Sequence, residues 1–189
     1  MKEGVKVPQV TFKYRVRTDG HPITYVDTTN GDANPFEWKD VTTDDIFAGK
    51  RVVIFSLPGA FTPTCSTYQV PGFEELYDDI RNCDVDEVYV VSVNDTFVMR
   101  KWMIDQEVKH IKFIPDGSGE FTRQMGMLVC KDNLGFGMRS WRYAAIVENG
   151  VIKEFWEEPG RRDNCEDDPY VTTDPDTVKT WLESNFNRG

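Results

Sequence analysis

The sequence predicts an α/β domain built on a central mixed β-sheet flanked by helices, and three observations carry that expectation. Apolar, β-branched runs at residues 51–56 and 85–93 suit strands buried on both faces. Segments with apolar residues near helical spacing, each opened by a capping signal, follow both runs. Asn149-Gly150 stands between two alternating runs, residues 141–147 and 151–156, and is the strongest short-range hairpin signal in the chain. Such an order of strands and helices buries one core by layering helices on both faces of a sheet.

A chain of 189 residues with 39% hydrophobic and 13% aromatic residues can bury one proper core, so a single domain over residues 1–189 is expected. The net charge of −10 argues against nucleic acid or an anionic membrane surface as a partner, since both require a basic face. Met1-Lys2-Glu3-Gly4-Val5-Lys6 has no apolar stretch that could serve as a signal peptide, and no later run approaches a membrane span. A cytoplasmic location is the expectation, with the four cysteines present as thiols. None are spaced C-x-x-C, which disfavours a disulfide exchanger. With only His21 and His110 a histidine metal site or a cysteine-histidine dyad is poorly supported.

Taken in order, residues 7–17 carry Val10, Phe12, Tyr14 and Val16 on one alternating face and read as an early strand. The polar passage 21–40, with Thr29-Asn30-Gly31-Asp32 and Asn34-Pro35, reads as a hairpin followed by surface loop. Thr43 is placed to cap a short helix ending at Phe47 and closed by Gly49. The helix that follows Pro58-Gly59 is expected to kink at Pro71-Gly72 and resume over residues 73–80. Asn94-Asp95 opens a helix over 96–107, with Phe97, Trp102, Ile104 and Val108 as core or dimer surface. After a short strand at 111–114, Ser118 caps a helix bearing Phe121, Met125 and Leu128, and a glycine-rich bend at 134–137 leads to the hairpin. An acidic loop, 157–176, precedes a last helix opened by Asp174-Pro175, with Val178, Trp181, Leu182 and Phe186 facing inward.

The chemistry gathers between Leu57 and Ser66. Pro58 and Gly59 stop the apolar strand, Thr62 stands at an N-cap position, Pro63 at the first helical position and Cys65 at the third. A cysteine there meets unpaired N–H groups and the positive end of the helix dipole, which favour a thiolate. Lowering an ordinary thiol well below neutrality raises its thiolate fraction at pH 7 from roughly 3% to nearly all, a gain of only about thirtyfold. The larger part of any fast reaction at such a sulfur must come from donors that position the reactant and stabilise charge in its transition state. Thr62, three residues before Cys65, is placed to accept from a helical N–H and to donate toward the sulfur or a bound reactant. Pro58 offers a rigid apolar surface without an N–H. Arg142 shares a face with Ser140, Ala144 and Ile146, and a guanidinium among small and apolar residues needs an anion, which a Cys65 thiolate would supply.

Pro58-Gly59-Ala60-Phe61-Thr62-Pro63-Thr64-Cys65-Ser66, followed by Val70-Pro71-Gly72-Phe73, resembles the active-site motif of the peroxiredoxins, and more narrowly of their type-five and glutaredoxin-fused members. Ser92-Val93-Asn94-Asp95, Gly135-Phe136-Gly137-Met138-Arg139-Ser140 and Glu158-Pro159-Gly160 are similar to pieces of the same subfamily in the same order, so the resemblance spans about residues 5–185. It implies a thioredoxin-like fold and a thiol peroxidase that reduces hydrogen peroxide and small organic hydroperoxides through a cysteine sulfenic acid. In that comparison Cys65 is the nucleophile, Pro58, Thr62 and Arg142 complete the site, and Arg142 rather than Arg139 matches the arginine of the motif. No cofactor is implied; a thiol reductant, glutathione with or without glutaredoxin, acts as co-substrate, and thioredoxin is the reductant if an internal disulfide forms. The chain stops at Gly189 without a glutaredoxin module, so reduction in trans is expected. Cys165 falls near the position of a type-five resolving cysteine, but its surroundings resemble bacterial and fused members. Whether Cys165 or Cys83 resolves Cys65 stays open, with an external thiol preferred because acidic neighbours dull Cys165. A homodimer through the active-site edge, with Phe61, Phe97 and Phe136 as apolar contacts, is expected on the same pattern. The alternative is a redox-sensing or interaction protein that uses the same thiol to signal to a partner and stops after one oxidation.

Overall fold

The computed structural model describes residues 2–26 and 35–186. Its centre is a five-stranded mixed sheet. β3 (Arg51–Ser56) pairs in parallel with β4 (Glu87–Ser92), which pairs in parallel with β5 (Lys112–Pro115). On its other side β3 pairs antiparallel with β8 (Tyr143–Glu148), and β8 with β9 (Val151–Glu157), closing the expected hairpin with Asn149 and Gly150 both at positive φ. The mixed sheet is as the sequence predicts. β3 is central because its residues are apolar on both faces: Val53 and Phe55 enter one core with Cys65, Phe73, Trp102 and Ile146, while Val52 and Ile54 enter the other with Phe47, Phe121, Trp141 and Tyr143.

The first strand, β1 (Thr11–Arg17), does not join this sheet but pairs antiparallel with β2 (Phe36–Thr42), where the sequence reading has surface loop. β2 is largely exposed and alternates weakly, so it carries little periodic signal. The hairpin expected around Thr29-Asn30-Gly31-Asp32 lies outside the described residues. α1 (Thr43–Phe47) is capped one residue earlier than expected, by a reciprocal box in which Thr42 Oγ1 accepts from Asp45 N and Asp45 accepts from Thr42 N.

The helical region after β3 departs from the sequence reading in an instructive way. Residues 65–69 form a π-turn (Cys65–Gln69), in which the Val70 N–H reaches the Cys65 carbonyl, and it runs without a break into α2 (Val70–Glu75). Pro71 has no N–H, and its ring would collide with the carbonyl one turn back. One extra residue in the turn opens that space, so the helix passes through Pro71-Gly72 instead of kinking there. The interruption falls at Leu76, before α3 (Tyr77–Arg81). Trp102 of α4 (Thr96–Asp105) donates from Nε1 to Ser66 Oγ at 2.9 Å, and Phe73 stacks on Phe55 at 4.0 Å, so both ends of the turn are pinned to the core.

Three smaller corrections follow. Ser118 does not cap α5 (Glu120–Gln124); Gly119 in the left-handed region takes that position, and the buried Asp116 carboxylate accepts from the N–H groups of Phe121 and Thr122. Leu128 belongs to a short hairpin, β6 (Leu128–Cys130) with β7 (Met138–Ser140), around the glycine-rich bend. α6 (Pro175–Asn185) is capped by Asp174 as expected and buries Val178 and Leu182, but Phe186 is exposed. Among the described residues no helix is long and apolar enough to cross a membrane.

Candidate active site

The loop after β3 is held from two directions. Ala60 N donates to Asn94 Oδ1 at 3.0 Å, and Ser92 Oγ donates to the same oxygen at 2.6 Å, which ties the loop to the end of β4. Arg139 donates from Nε to the Phe136 carbonyl at 3.1 Å and from Nη1 to the Pro58 carbonyl at 3.5 Å. A Cβ at Gly59 would stand 2.6 Å from Arg139 Nη1, so only glycine lets the guanidinium approach this closely. Phe61 adopts φ of 64°, a left-handed conformation costly for an aromatic residue, and so turns the chain into the helix that begins at Pro63.

Thr62 occupies the expected place but uses its hydroxyl differently. Its carbonyl accepts the first helical bond, from Ser66 N at 3.0 Å, while Oγ1 donates to the Gly59 carbonyl at 2.7 Å and takes no helical N–H. The proton is therefore committed to the loop, and the lone pairs of Oγ1 are left to accept.

Cys65 is fully buried, and the structure brings Arg142 to it. Arg142, 1% exposed, lies between β7 and β8 and donates from Nη1 to Cys65 Sγ at 3.5 Å. Ala144 and Ile146, on the same face, pack in the core that holds Cys65, so the strand alternation read from sequence aims the guanidinium correctly. Arg139 reaches the loop carbonyls instead and is not bonded to the sulfur. Sequence reasoning missed the other partners of Arg142. Nη1 also donates to Gln69 Oε1, Nη2 donates to Asp168 Oδ1 at 2.6 Å, and the guanidinium lies over the Tyr170 ring at 5.6 Å. Gln69 had a findable signal, since it follows Cys65 by four residues on one helical face; Asp168 and Tyr170 had none within an acidic loop. Burial works against the arginine's charge, but Cys65 and Asp168 outweigh it and hold its pKa above the ordinary value. Burial pushes the Tyr170 phenol well above its usual range, so it stays neutral.

The acidic loop is anchored from below. The buried Glu158 carboxylate accepts from the N–H groups of Val171, Thr172 and Thr173 and from the Thr173 hydroxyl, and Glu158 N donates to the Arg142 carbonyl at 3.1 Å. A cavity of about 110 Å³ beside Cys65's helix is lined by Pro58, Thr62, Pro63, Leu134, Phe136 and Cys165, with Lys131 and Asp168 among its polar walls. A larger cavity of about 420 Å³ lies elsewhere, between the β1–β2 hairpin and β5, and touches none of these groups. All four cysteines are free thiols. Burial raises the Cys83 thiol above its ordinary pKa, and Cys165 is buried among the second core's residues rather than those around Cys65, on the wall of the small cavity. Among the described residues no cluster of His, Cys, Asp and Glu is arranged to hold a metal ion.

A sulfur at a helix start with a buried guanidinium on it, in a sheet of this order, defines a thiol-redox protein, and the comparisons agree. The redoxin family profile matches residues 2–172, and the chain belongs to that family. It is 54% identical over 179 residues to a peroxiredoxin of Rhizobium etli, covering 95% of each chain. It is 48% identical over 180 residues to a hybrid peroxiredoxin of Haemophilus influenzae, covering 95% of this chain and 66% of the relative. The crystal structure of the Plasmodium falciparum antioxidant protein, a 1-Cys peroxiredoxin, superposes with a TM-score of 0.86 at 38% identity, over 97% of this chain and 100% of that one. Within the redoxins the chain is thus a peroxiredoxin with a thioredoxin-like fold, a thiol-dependent peroxidase.

Proposed function

We propose that Cys65 is the peroxide-attacking thiolate and that Arg142, Thr62 and Pro58 complete its site, for the reduction of hydrogen peroxide and small organic hydroperoxides. The observation that carries this reading is the buried Arg142–Cys65 contact at the start of the helix. In the first step the Cys65 sulfur bonds to one peroxide oxygen as the O–O bond breaks; sulfur becomes a sulfenic acid, and the departing oxygen takes a proton from water to leave as water or an alcohol. Thr62 Oγ1, its own proton on Gly59, accepts the O–H of the attacked oxygen and orients it. Arg142 Nη1 stabilises the thiolate and then the charge spreading over the oxygens. Pro58 and Pro63 stand in the loop and first turn before Cys65 without presenting N–H groups.

An external thiol then displaces the sulfenic oxygen as water, and a second one restores the Cys65 thiol and leaves as a disulfide. Glutathione, with or without a glutaredoxin, fits the resemblance to glutaredoxin-fused members. The 1-Cys character stated for the Plasmodium protein supports a route without an internal partner. The protein acts in this reading as a cytoplasmic homodimer, and the exposure of Phe61, at 49% in the loop before Cys65, and of Phe97, at 58% on α4, supports the dimer contacts. The test is peroxide consumption over many turnovers with glutathione and glutaredoxin: Cys65→Ser abolishes it, and Cys83→Ser and Cys130→Ser retain most of it. Consumption that stops after one equivalent in the native protein would point to the sensor instead, and equal losses in all three variants would remove the single peroxidatic cysteine. Sedimentation showing a monomer in both redox states would refute the dimer.

A further inference from the structure

We infer that Asp168 is a positioning residue of the peroxidase: its carboxylate fixes Arg142 against Cys65 from the acidic loop, and its charge offsets part of what the arginine gives the thiolate. The inference rests on the assignment of Cys65 and Arg142 above. A guanidinium at the end of a three-carbon stem is not oriented by one bond; its plane is fixed when both terminal nitrogens are held. Here Nη1 is held on the site side by Cys65 and Gln69, and Nη2 on the loop side by Asp168 at 2.6 Å, with Tyr170 under the face. Nε has no partner, so losing Asp168 leaves the cation gripped at one nitrogen.

The charges around the sulfur make the second half of the argument. The π-turn contributes Cys65 and the neutral Gln69, the strand junction contributes Arg142, and the loop contributes Asp168 and the neutral Tyr170. Glu158 spends its carboxylate on the backbone of residues 171–173, while Lys131, Glu166 and Asp167 line the neighbouring cavity. One cation thus serves two anions, thiolate and carboxylate. Asp168 is also the outermost member: its side chain is 46% exposed against 1% for Arg142, so it can be altered without opening the core.

The test uses Asp168→Asn, which keeps the shape and removes the charge, and Asp168→Ala, which removes both. Two readouts are followed from acid to alkaline pH on the reduced protein: Cys65 alkylation by iodoacetamide, which involves no peroxide, and the second-order rate with hydrogen peroxide. Both variants are expected to move the alkylation midpoint to lower pH, by about half to one unit, because a negative charge near the sulfur is gone. The alkaline plateau of the peroxide rate is expected to fall about threefold in Asp168→Asn and about tenfold in Asp168→Ala, as the guanidinium loses its second hold. Unchanged profiles in both variants would overturn the inference. So would a lower plateau with an unmoved midpoint, the mark of a loop that has only lost its shape. A native protein that alkylates as expected but never reacts with peroxide would instead sink the peroxidase assignment, which separates the two failures.

Discussion

Replacing Arg142 by methionine tests the site most directly, because it removes the charge and keeps most of the volume. Unit charges 3.5 Å apart, the Arg142–Cys65 separation, interact by about 5 kcal/mol at an effective dielectric near 20. Asp168 draws on the same cation and is left half-exposed, free to hydrate, when the arginine goes. If about half of the attraction is net, roughly 2 kcal/mol of stabilisation is lost, and with 1.36 kcal/mol per tenfold the peroxide rate at pH 7 falls on the order of thirtyfold. Stopped-flow tryptophan fluorescence suits the measurement, since Trp102 is bonded to Ser66, the residue after Cys65. Arg139→Met is the control. Its guanidinium meets two backbone carbonyls and no sulfur, so a loss under about threefold is expected. A loss in Arg139→Met equal to or larger than in Arg142→Met would refute the reasoning.

Other outcomes are expected on independent grounds. After one equivalent of peroxide without air, peptide mass spectrometry should find Cys65 as a sulfenic acid that glutathione converts to a mixed disulfide, and Cys165→Ser should leave glutathione-supported turnover nearly unchanged; a stoichiometric Cys65–Cys165 disulfide would overturn this and favour thioredoxin. Phe73→Ala removes a fully buried ring stacked on Phe55 and should cost about 3–5 kcal/mol in urea unfolding, and a loss below about 1 kcal/mol would show that the core collapses around the gap. Asp45 is held below the usual carboxylate range by the Thr42 backbone and side-chain hydrogen bonds, so its stabilising effect is present above its unfolded pKa and lost as the pH falls through the folded value. The difference in urea midpoint between native and Asp45→Asn protein should therefore be clear at pH 6 and shrink below about pH 4, and a difference that grows toward acid would contradict the capping box.

Local chemistry was legible wherever one residue type decides the backbone. The double-faced apolarity of β3, the Asn149-Gly150 turn, the Asp95 and Asp174 caps and the direction of Arg142 all follow from the sequence because each rests on a short-range rule. What escaped depends on tertiary partners. β2 forms an exposed two-stranded ribbon with β1, so no buried face imposes alternation on it, and the three-residue strands β6 and β7 are too short to show a period. The predicted kink at Pro71 has the right cause in the wrong place, since the helix widens ahead of the proline and straightens the rest. Within the site, the arginine's need for an anion was read correctly, but the sequence offers Cys65 as a sufficient answer and gives no reason to seek Asp168 across a solvated acidic run.

The proposed role of Cys65 also locates the rate enhancement outside the thiolate itself. A thiolate fully formed at neutral pH gains only about thirtyfold over an ordinary thiol, so a site that did no more would be a slow peroxidase. In the proposed site the groups assigned to the sulfur have their freedom already spent: the Thr62 proton is fixed on Gly59, and the Arg142 nitrogens on Gln69 and Asp168. Pro58 and Pro63 have no N–H to misdirect. None of these groups must reorganise when an O–O bond stretches beside Cys65, and removing that reorganisation is what donors in a buried site contribute beyond their charge. The π-turn makes the arrangement possible, because it carries Gln69 and Cys65 to the same guanidinium nitrogen while leaving Pro71 room to continue the helix into the core.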